Sequence, residues 1–250
     1  MTTSGSGRLG ARPVEFLEVR RLDFVEQPPP DLTPWEQGEV DRLWADTVAR
    51  DPTTFDGPMV ASLGIDRPSP DVLVARWARL SYRHRALRLI RPSGEVPGSV
   101  FVTVLLPTER GLVVGRGAPA TAAPGRWTLP GGSVEPPSDG RPLDGAALRR
   151  EAVRELDEEL GVRIAEGRLR LFAVTRGRRF GSLGFHFLAP PVTRAHVLRR
   201  HAGVVAAETR RGAGPELDEV AFVRSPAEAG RLGPGADYLP QVLRRYDGPV

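Results

Sequence analysis

LPGGSVEPPSDGRPLDGAALRREAVRELDEELGV, residues Leu129 to Val162, runs from a double glycine into a helix crowded with acid. On a wheel of 100° per residue with Leu148 at zero, Leu148, Ala152, Leu156, Leu160 and Val153 fall roughly between 0° and 140°. They define a buried arc. Glu158, Glu151, Glu155 and Glu159 fall at about 280°, 300°, 340° and 20°, along one border of that arc and not opposite it. Glu151/Glu155 and Glu155/Glu159 are like-charge pairs four apart, and Glu155/Glu158 is one three apart; each costs roughly 0.2–0.5 kcal/mol. A solvated charged face, the ordinary meaning of such a run, would alternate the signs. Only Arg154, four before Glu158, gives relief from within. A divalent cation reverses the sign of the whole cluster. Mg²⁺ suits it best, because it takes hard oxygen ligands and few protein carboxylates, and fills its shell with water and phosphate. Gly131 and Gly132 let the backbone turn sharply and approach closely, so that a carbonyl can face a metal held by the helix. Gly161 reads as the C-cap.

The rest of the chain excludes several alternatives. Its 250 residues suffice for one large domain or two modest ones. Hydrophobic and charged fractions of 40% and 26% are those of a globular protein. There is no cysteine, so neither a disulfide framework nor a zinc–thiolate site is available. The formal charge of +4 comes from arginines scattered along a chain without lysine. That pattern suits small anionic ligands but lacks the concentrated patch of a nucleic-acid binder. No apolar run has membrane-spanning length and the first residues carry no signal-peptide core. The expectation is a cytoplasmic protein, with no membrane or nucleic-acid partner and with homodimerisation left open.

Pro, Gly and Ser cluster at RPSGEVPGS, Arg91–Ser99, which reads as a boundary. The expected divisions are a flexible start (1–12), an N-terminal α/β segment (13–92) and a main domain (93–250). In the segment, VEFLEVRRLDFVE alternates as one strand. TPWEQGEVDRLWADTVARD opens with an N-cap Thr and an N1 Pro and spaces Trp35, Val40, Leu43, Trp44 and Val48 as a helix face. FDGPMVASLGI and DVLVARWARLSY read as strands and RHRALRLI as a short helix. In the main domain, SVFVTVLLP and GLVVGRG read as a strand pair, GRWTLPGG as a short strand, RLRLFAVTRG and SLGFHFLAPPV as a hairpin, DEVAFVR as a last strand and ADYLPQVLRRY as a terminal helix. Strands around one central helix imply an α+β layered domain.

LPGG followed by RELDEELGV resembles the Nudix box of Mg²⁺-dependent hydrolases that cleave nucleoside diphosphates linked to another group. The second half of the family pattern G-x5-E-x7-R-E-U-x-E-E-x-G-U is matched by Arg154, Glu155, Leu156, Glu158, Glu159, Gly161 and Val162. The resemblance implies an α/β/α sandwich with a mixed sheet from about Ser99 onward, preceded by the smaller α/β segment. It implies Glu155, Glu158 and Glu159 as metal ligands, Arg154 as the residue that orients them, and the carbonyl of Gly131 as a further ligand. Mg²⁺ is the implied cofactor, with Mn²⁺ as a substitute. The first half of the box is stretched by eight residues, and Ala146 stands where the pattern has its first Glu; Asp144 or Glu151 is the candidate replacement, with Asp144 equally an N-cap.

The implied reaction is hydrolysis of a diphosphate bond in a nucleoside diphosphate linked to another moiety, giving a nucleoside monophosphate and a phosphorylated product. A free carboxylate takes the water's proton, with Glu158 and Glu216 as candidates, the latter in GPELDEVAFV. RDPTTFDGPMV and LVARWARLSYRHRAL resemble the leading segment of a Nudix branch active on UDP-sugars, with Asp51 in place of an Asn. Substrate contacts are expected from Arg126, Tyr82 and Arg83, and from Arg178 and Arg179 in TRGRRFGS, where arginine suits phosphate. Phe180 reads as core packing. The alternative is a Nudix domain that binds a nucleotide without cleaving it, as a sensor or interaction module.

Overall fold

The alternating residues from Val14 to Glu26 read as one strand, and the protein makes two of them. The structure, a computed structural model, describes residues 14–52, 54–121, 123–138 and 140–246; the expected flexible start, 1–12, lies outside the described residues. Strands are β1 (Glu15–Leu17), β2 (Arg21–Glu26), β3 (Pro58–Ser69), β4 (Val72–Ser81), β5 (Gly98–Leu105), β6 (Pro107–Thr108), β7 (Gly111–Gly117), β8 (Trp127–Thr128), β9 (Arg170–Arg176), β10 (Leu183–Leu188) and β11 (Leu217–Val223). Helices are α1 (Pro34–Arg50), α2 (Leu87–Ile90), α3 (Gly145–Leu160), α4 (Arg194–Arg210), α5 (Pro226–Leu232) and α6 (Leu239–Arg245). The break between β1 and β2 is held by the Asp71 carbonyl, which accepts from the amides of both Arg20 and Arg21 at 2.9 Å. β1 then pairs with β9 and β2 with β4, at opposite edges of a seven-stranded sheet ordered β1-β9-β10-β5-β3-β4-β2.

The result is α+β, with a mixed sheet and helices packed on it. β10 and β5 run parallel, while β9 and β10 form the antiparallel pair expected from their sequences. The expected pairing of β5 with β7 is corrected. β5 is occupied on one side by β10, and on the other the 130–134 segment bonds it: Val102 N–H donates to the Gly132 carbonyl at 3.0 Å and Val104 N–H to that of Pro130 at 2.8 Å. The chain steps instead into β6, which pairs with β7 in a second sheet ordered β11-β7-β6, with β8 on β7. β3 also pairs with β5 at Ala61–Ser99 and Ser62–Gly98, so hydrogen bonding is continuous across the Pro/Gly-rich stretch at 91–99.

α1 begins as its sequence predicts: Thr33 and Glu36 cap each other's backbone, at 3.2 and 2.8 Å. Its expected apolar face is corrected at Trp35, which is 65% exposed; Val40 alone is fully buried, against Leu87 and Val96. α3 buries Leu148, Ala152, Leu156 and Leu160 completely against Val100, Val102, Val104, Phe185 and Phe187. Gly161 closes it at φ +66°, and Asp144 caps its start by accepting the Ala147 amide at 2.7 Å. The even-numbered residues of β5 thus face α3 and the main core, as strand alternation requires. α4 and α5 are absent from the sequence reading. α4 carries Gly203 and paired valines in a strongly basic run, and only Val197 and His201 are buried, too weak a period to stand out. No helix among the described residues is long and apolar enough to cross a membrane.

Candidate functional site

Glu155 and Glu159 lie one turn apart on α3, and both are buried, at 6% and 5% exposure. Glu216, exposed in the loop that enters β11, brings a third carboxylate to them. One oxygen from each of the three lies within 4.8 Å of the others. Burial raises the Glu155 pKa to about 7, with repulsion from Glu216, Glu158 and Glu151 adding to it and Arg154 opposing it. Glu159 is raised well above the ordinary range by burial and then by Glu155, against the amide of Gly131. Glu216 is raised by its own desolvation and by Glu158. Three acids that resist ionising beside one another need either protons or a cation.

The double glycine forms the facing wall. Gly131 sits at φ +145°, and a Cβ there would overlap the Val102 carbonyl oxygen. Its N–H donates to Glu159 Oε2 at 2.7 Å. A Cβ on Gly132 would stand 2.5 Å from Glu155 Oε2. The ladder to β5 uses the carbonyls on either side of Gly131, those of Pro130 and Gly132. Glycine is therefore required twice, once for backbone shape and once for room.

Arg154 binds the helix's acids together from outside. It donates to Glu151 at 2.8 Å, Glu155 at 2.7 Å and Glu158 at 2.6 Å, and lies 4.0 Å from Glu135. Burial alone would lower its pKa; the bond to Glu151 and the charges of Glu155, Glu151 and Glu158 outweigh that and raise it. A donor set of clustered carboxylate oxygens, two of them buried and backed by fixed donors, fits a hard divalent cation.

A model of the NUDIX domain matches residues 96–246. The chain belongs to the NUDIX domain family. Among solved structures, it is similar to the MutT protein from Methanosarcina mazei Go1, at 19% identity and TM-score 0.41, covering 60% of this chain and 92% of that one. It is also similar to the NUDIX domain of Shewanella oneidensis NrtR complexed with ADP ribose, at 16% identity and TM-score 0.40, covering 59% and 85%. A third is the ORF135 protein of E. coli, at 20% identity and TM-score 0.38, covering 59% and 86%. Among curated proteins none matches.

The other sequence candidates lie outside this three-carboxylate group. Glu158 is exposed and turned to Arg154, outside the three-oxygen group. Of the two replacements for the first box Glu, Asp144 is the N-cap and Glu151 bonds Arg154. Arg126 donates to the Gly235 carbonyl and to Asp237 at 2.9 Å. Arg83 is engaged by Asp56, at 2.5 Å from its Nε and 2.8 Å from its amide, and lies 3.4 Å from Asp41. Tyr82 packs edge-on against Trp44. Arg178 and Arg179 are exposed in the turn between β9 and β10, with Arg179 over the Phe180 ring. Phe180 is partly buried against the Val40 cluster, the packing role read for it. Two features escape the sequence reading. Glu135 approaches Arg154, and its only signal is its nearness to the double glycine. Tyr238 bonds Thr128 Oγ1, three residues before Gly131, with no local signal at all.

Proposed function

We propose that this Nudix protein is a Mg²⁺-dependent hydrolase of nucleoside diphosphates linked to a second moiety, with Mn²⁺ able to substitute. The observation that carries the reading is the convergence of Glu155, Glu159 and Glu216 within 4.8 Å against the double-glycine wall of Gly131 and Gly132. Glu155 and Glu159 hold the cation, and Glu216 faces them from the opposite loop as a carboxylate left free of it. When bound, the cation neutralises phosphate charge, orients the diphosphate and acidifies water. Arg154 keeps Glu155 in place while tying down Glu151 and Glu158. Gly131 N–H fixes the Glu159 oxygen that it bonds. Glu216 is the proton acceptor: it is exposed to incoming water, its proton affinity is raised, and its rival Glu158 is tied to Arg154. Water's oxygen bonds one phosphorus, the anhydride bond breaks with its electron pair on the leaving phosphate, and the proton passes to a Glu216 carboxylate oxygen.

The products are a nucleoside monophosphate and a phosphorylated partner. A UDP-sugar is the first substrate to test, supported by the resemblance of RDPTTFDGPMV, residues 50–60, to the leading segment of the UDP-sugar branch. The 13–92 segment sets specificity in this reading, supported by its strand β3 pairing with β5 beside the site. A chromatographic panel of UDP-sugars, ADP-ribose, dinucleotides and dNTPs with Mg²⁺ tests it. Monophosphate release lost on chelation and in Glu159→Gln is expected; binding without release from every compound overturns the hydrolase reading in favour of a nucleotide-binding module.

A further inference from the structure

Arg85, Arg88 and Arg179 are drawn together by two segments far apart in the chain. Arg85 and Arg88 lie on the turn and short helix after β4, and Arg179 lies on the turn between β9 and β10. That turn is seated against the start of β5, where a Cβ on Gly98 would stand 2.6 Å from the backbone of Gly181. The guanidinium carbons of Arg88 and Arg179 are each 4.8 Å from the centroid of the Phe180 ring. Arg85 stands 4.9 Å over the Tyr82 ring. The two rings hold the cations in place by cation–π attraction.

Among the described residues no carboxylate pairs with this charge. The neighbouring arginines Arg83 and Arg91 are paired with Asp56 and Glu36, whereas among the described residues Arg85, Arg88 and Arg179 have no ion pair. Arg88 donates one Nη to Ser99 Oγ at 3.0 Å, and its Nε is buried without an acceptor. Burial first, then the charges of Arg85 and Arg179, lower its pKa to about 10. Gathered cations with an unused buried donor are completed by an oxyanion. A buried donor left unmatched is costly, and guanidinium forks match phosphate oxygens in shape and charge.

We propose that Arg85, Arg88 and Arg179 form a binding site for a phosphate group carried by a small ligand. The inference goes beyond the hydrolase reading and stands without it. Ser99 lies three residues along β5 from Val102, whose amide holds the Gly132 carbonyl. At roughly 3.3 Å per residue, the site is on the order of 10 Å from the glycine wall. The phosphate therefore belongs either to a substrate that reaches both places or to a second ligand.

The test is calorimetric titration of inorganic phosphate into the full chain without divalent cation, so that the carboxylate centre recruits none. Phosphate binds the wild type, and affinity falls at least about ten-fold in the Arg85→Gln/Arg179→Gln double variant. Both positions are accessible enough to change without opening the core, and circular dichroism checks the fold. Arg170→Gln, an exposed arginine on β9, leaves the affinity where it was. Steady-state kinetics of the double variant then identifies the source. A raised KM with kcat kept assigns the phosphate to the substrate, and an unchanged KM alongside lost phosphate binding assigns it to a separate ligand; both uphold the site. No binding by the wild type, or equal binding by the double variant, overturns it. Hydrolysis without phosphate binding would defeat this inference alone, and phosphate binding without hydrolysis would defeat only the reaction proposed above.

Discussion

The Glu155 carboxylate fills the space that a side chain on Gly132 would need: a Cβ there would stand 2.5 Å from Oε2 and 2.7 Å from Cδ. The obstacle is a side-chain terminus, which can move. Gly132→Ala therefore folds and displaces Glu155, and misplacing a catalytic group by an ångström costs about 100-fold in rate. Gly131→Ala meets the Val102 carbonyl at a left-handed φ instead and costs stability, roughly 1–3 kcal/mol. Thermal melts and Mg²⁺-dependent turnover of the two variants separate these effects. Equal loss of melting temperature in both would defeat the distinction.

Arg154 reaches Glu151, Glu155 and Glu158 at once. A lysine keeps the charge but not the planar fork. Arg154→Lys should lower divalent-cation affinity or turnover roughly 10–100-fold, the usual effect of losing a partner that orients a ligand. Mn²⁺ titration followed by paramagnetic relaxation measures the affinity. Wild-type affinity and rate in the variant would show that charge alone suffices.

Cation binding should stabilise the protein more at pH 8 than at pH 5.5. Glu155 has a folded pKa of about 7 against an ordinary 4.5, so between those values the native state holds a proton that the unfolded chain has released. Its contribution to stability then falls as pH rises through that window, by at most about 1.4 kcal/mol per unit. A bound cation stabilises the ionised carboxylate against the burial, and against the added repulsion, that set this slope. Melting curves with and without Mg²⁺ at both pH values check it, and an undiminished Mg²⁺ response in Glu155→Gln/Glu159→Gln would contradict it.

His186 predicts the opposite slope. It is wholly buried, its ring nitrogens 2.7 and 2.8 Å from the hydroxyls of Thr103 and Thr175, and burial pushes its pKa down to about 3. Below its unfolded pKa of about 6.5 the unfolded chain takes a proton that the native state refuses. Stability is lost as pH falls from there. The imidazole NMR signals should not titrate between pH 8 and 5, and a His186→Gln variant should lose stability less steeply below pH 6. Titration of the native ring near 6.5 would refute the assignment.

Much of α3 was legible because its information is local. The 3.6-residue period placed Leu148, Ala152, Leu156 and Leu160 in the core and the glutamates at its border, and Asp144 and Gly161 supplied the ends. The same rule could not tell which glutamates turn inward. Glu158 and Glu159 are chain neighbours, yet one is bonded to Arg154 in the open and the other is buried under Gly131 N–H. The VEFLEVRRLDFVE stretch shows a similar limit: alternation marks extended backbone but not that Asp71, some fifty residues on, divides it.

By itself the sequence determined a helix that concentrates negative charge along the edge of its buried face, and a double glycine close enough in the chain to approach it. Only the tertiary structure decided that Glu216 joins Glu155 and Glu159, that Glu155 packs into the space above Gly132, and that Arg85 and Arg88 meet Arg179. The physical reason is that helical spacing sets distances within an element. Distances between elements depend on how the sheet brings β5, the 130–134 segment and the β11 loop together, and no local pattern encodes that.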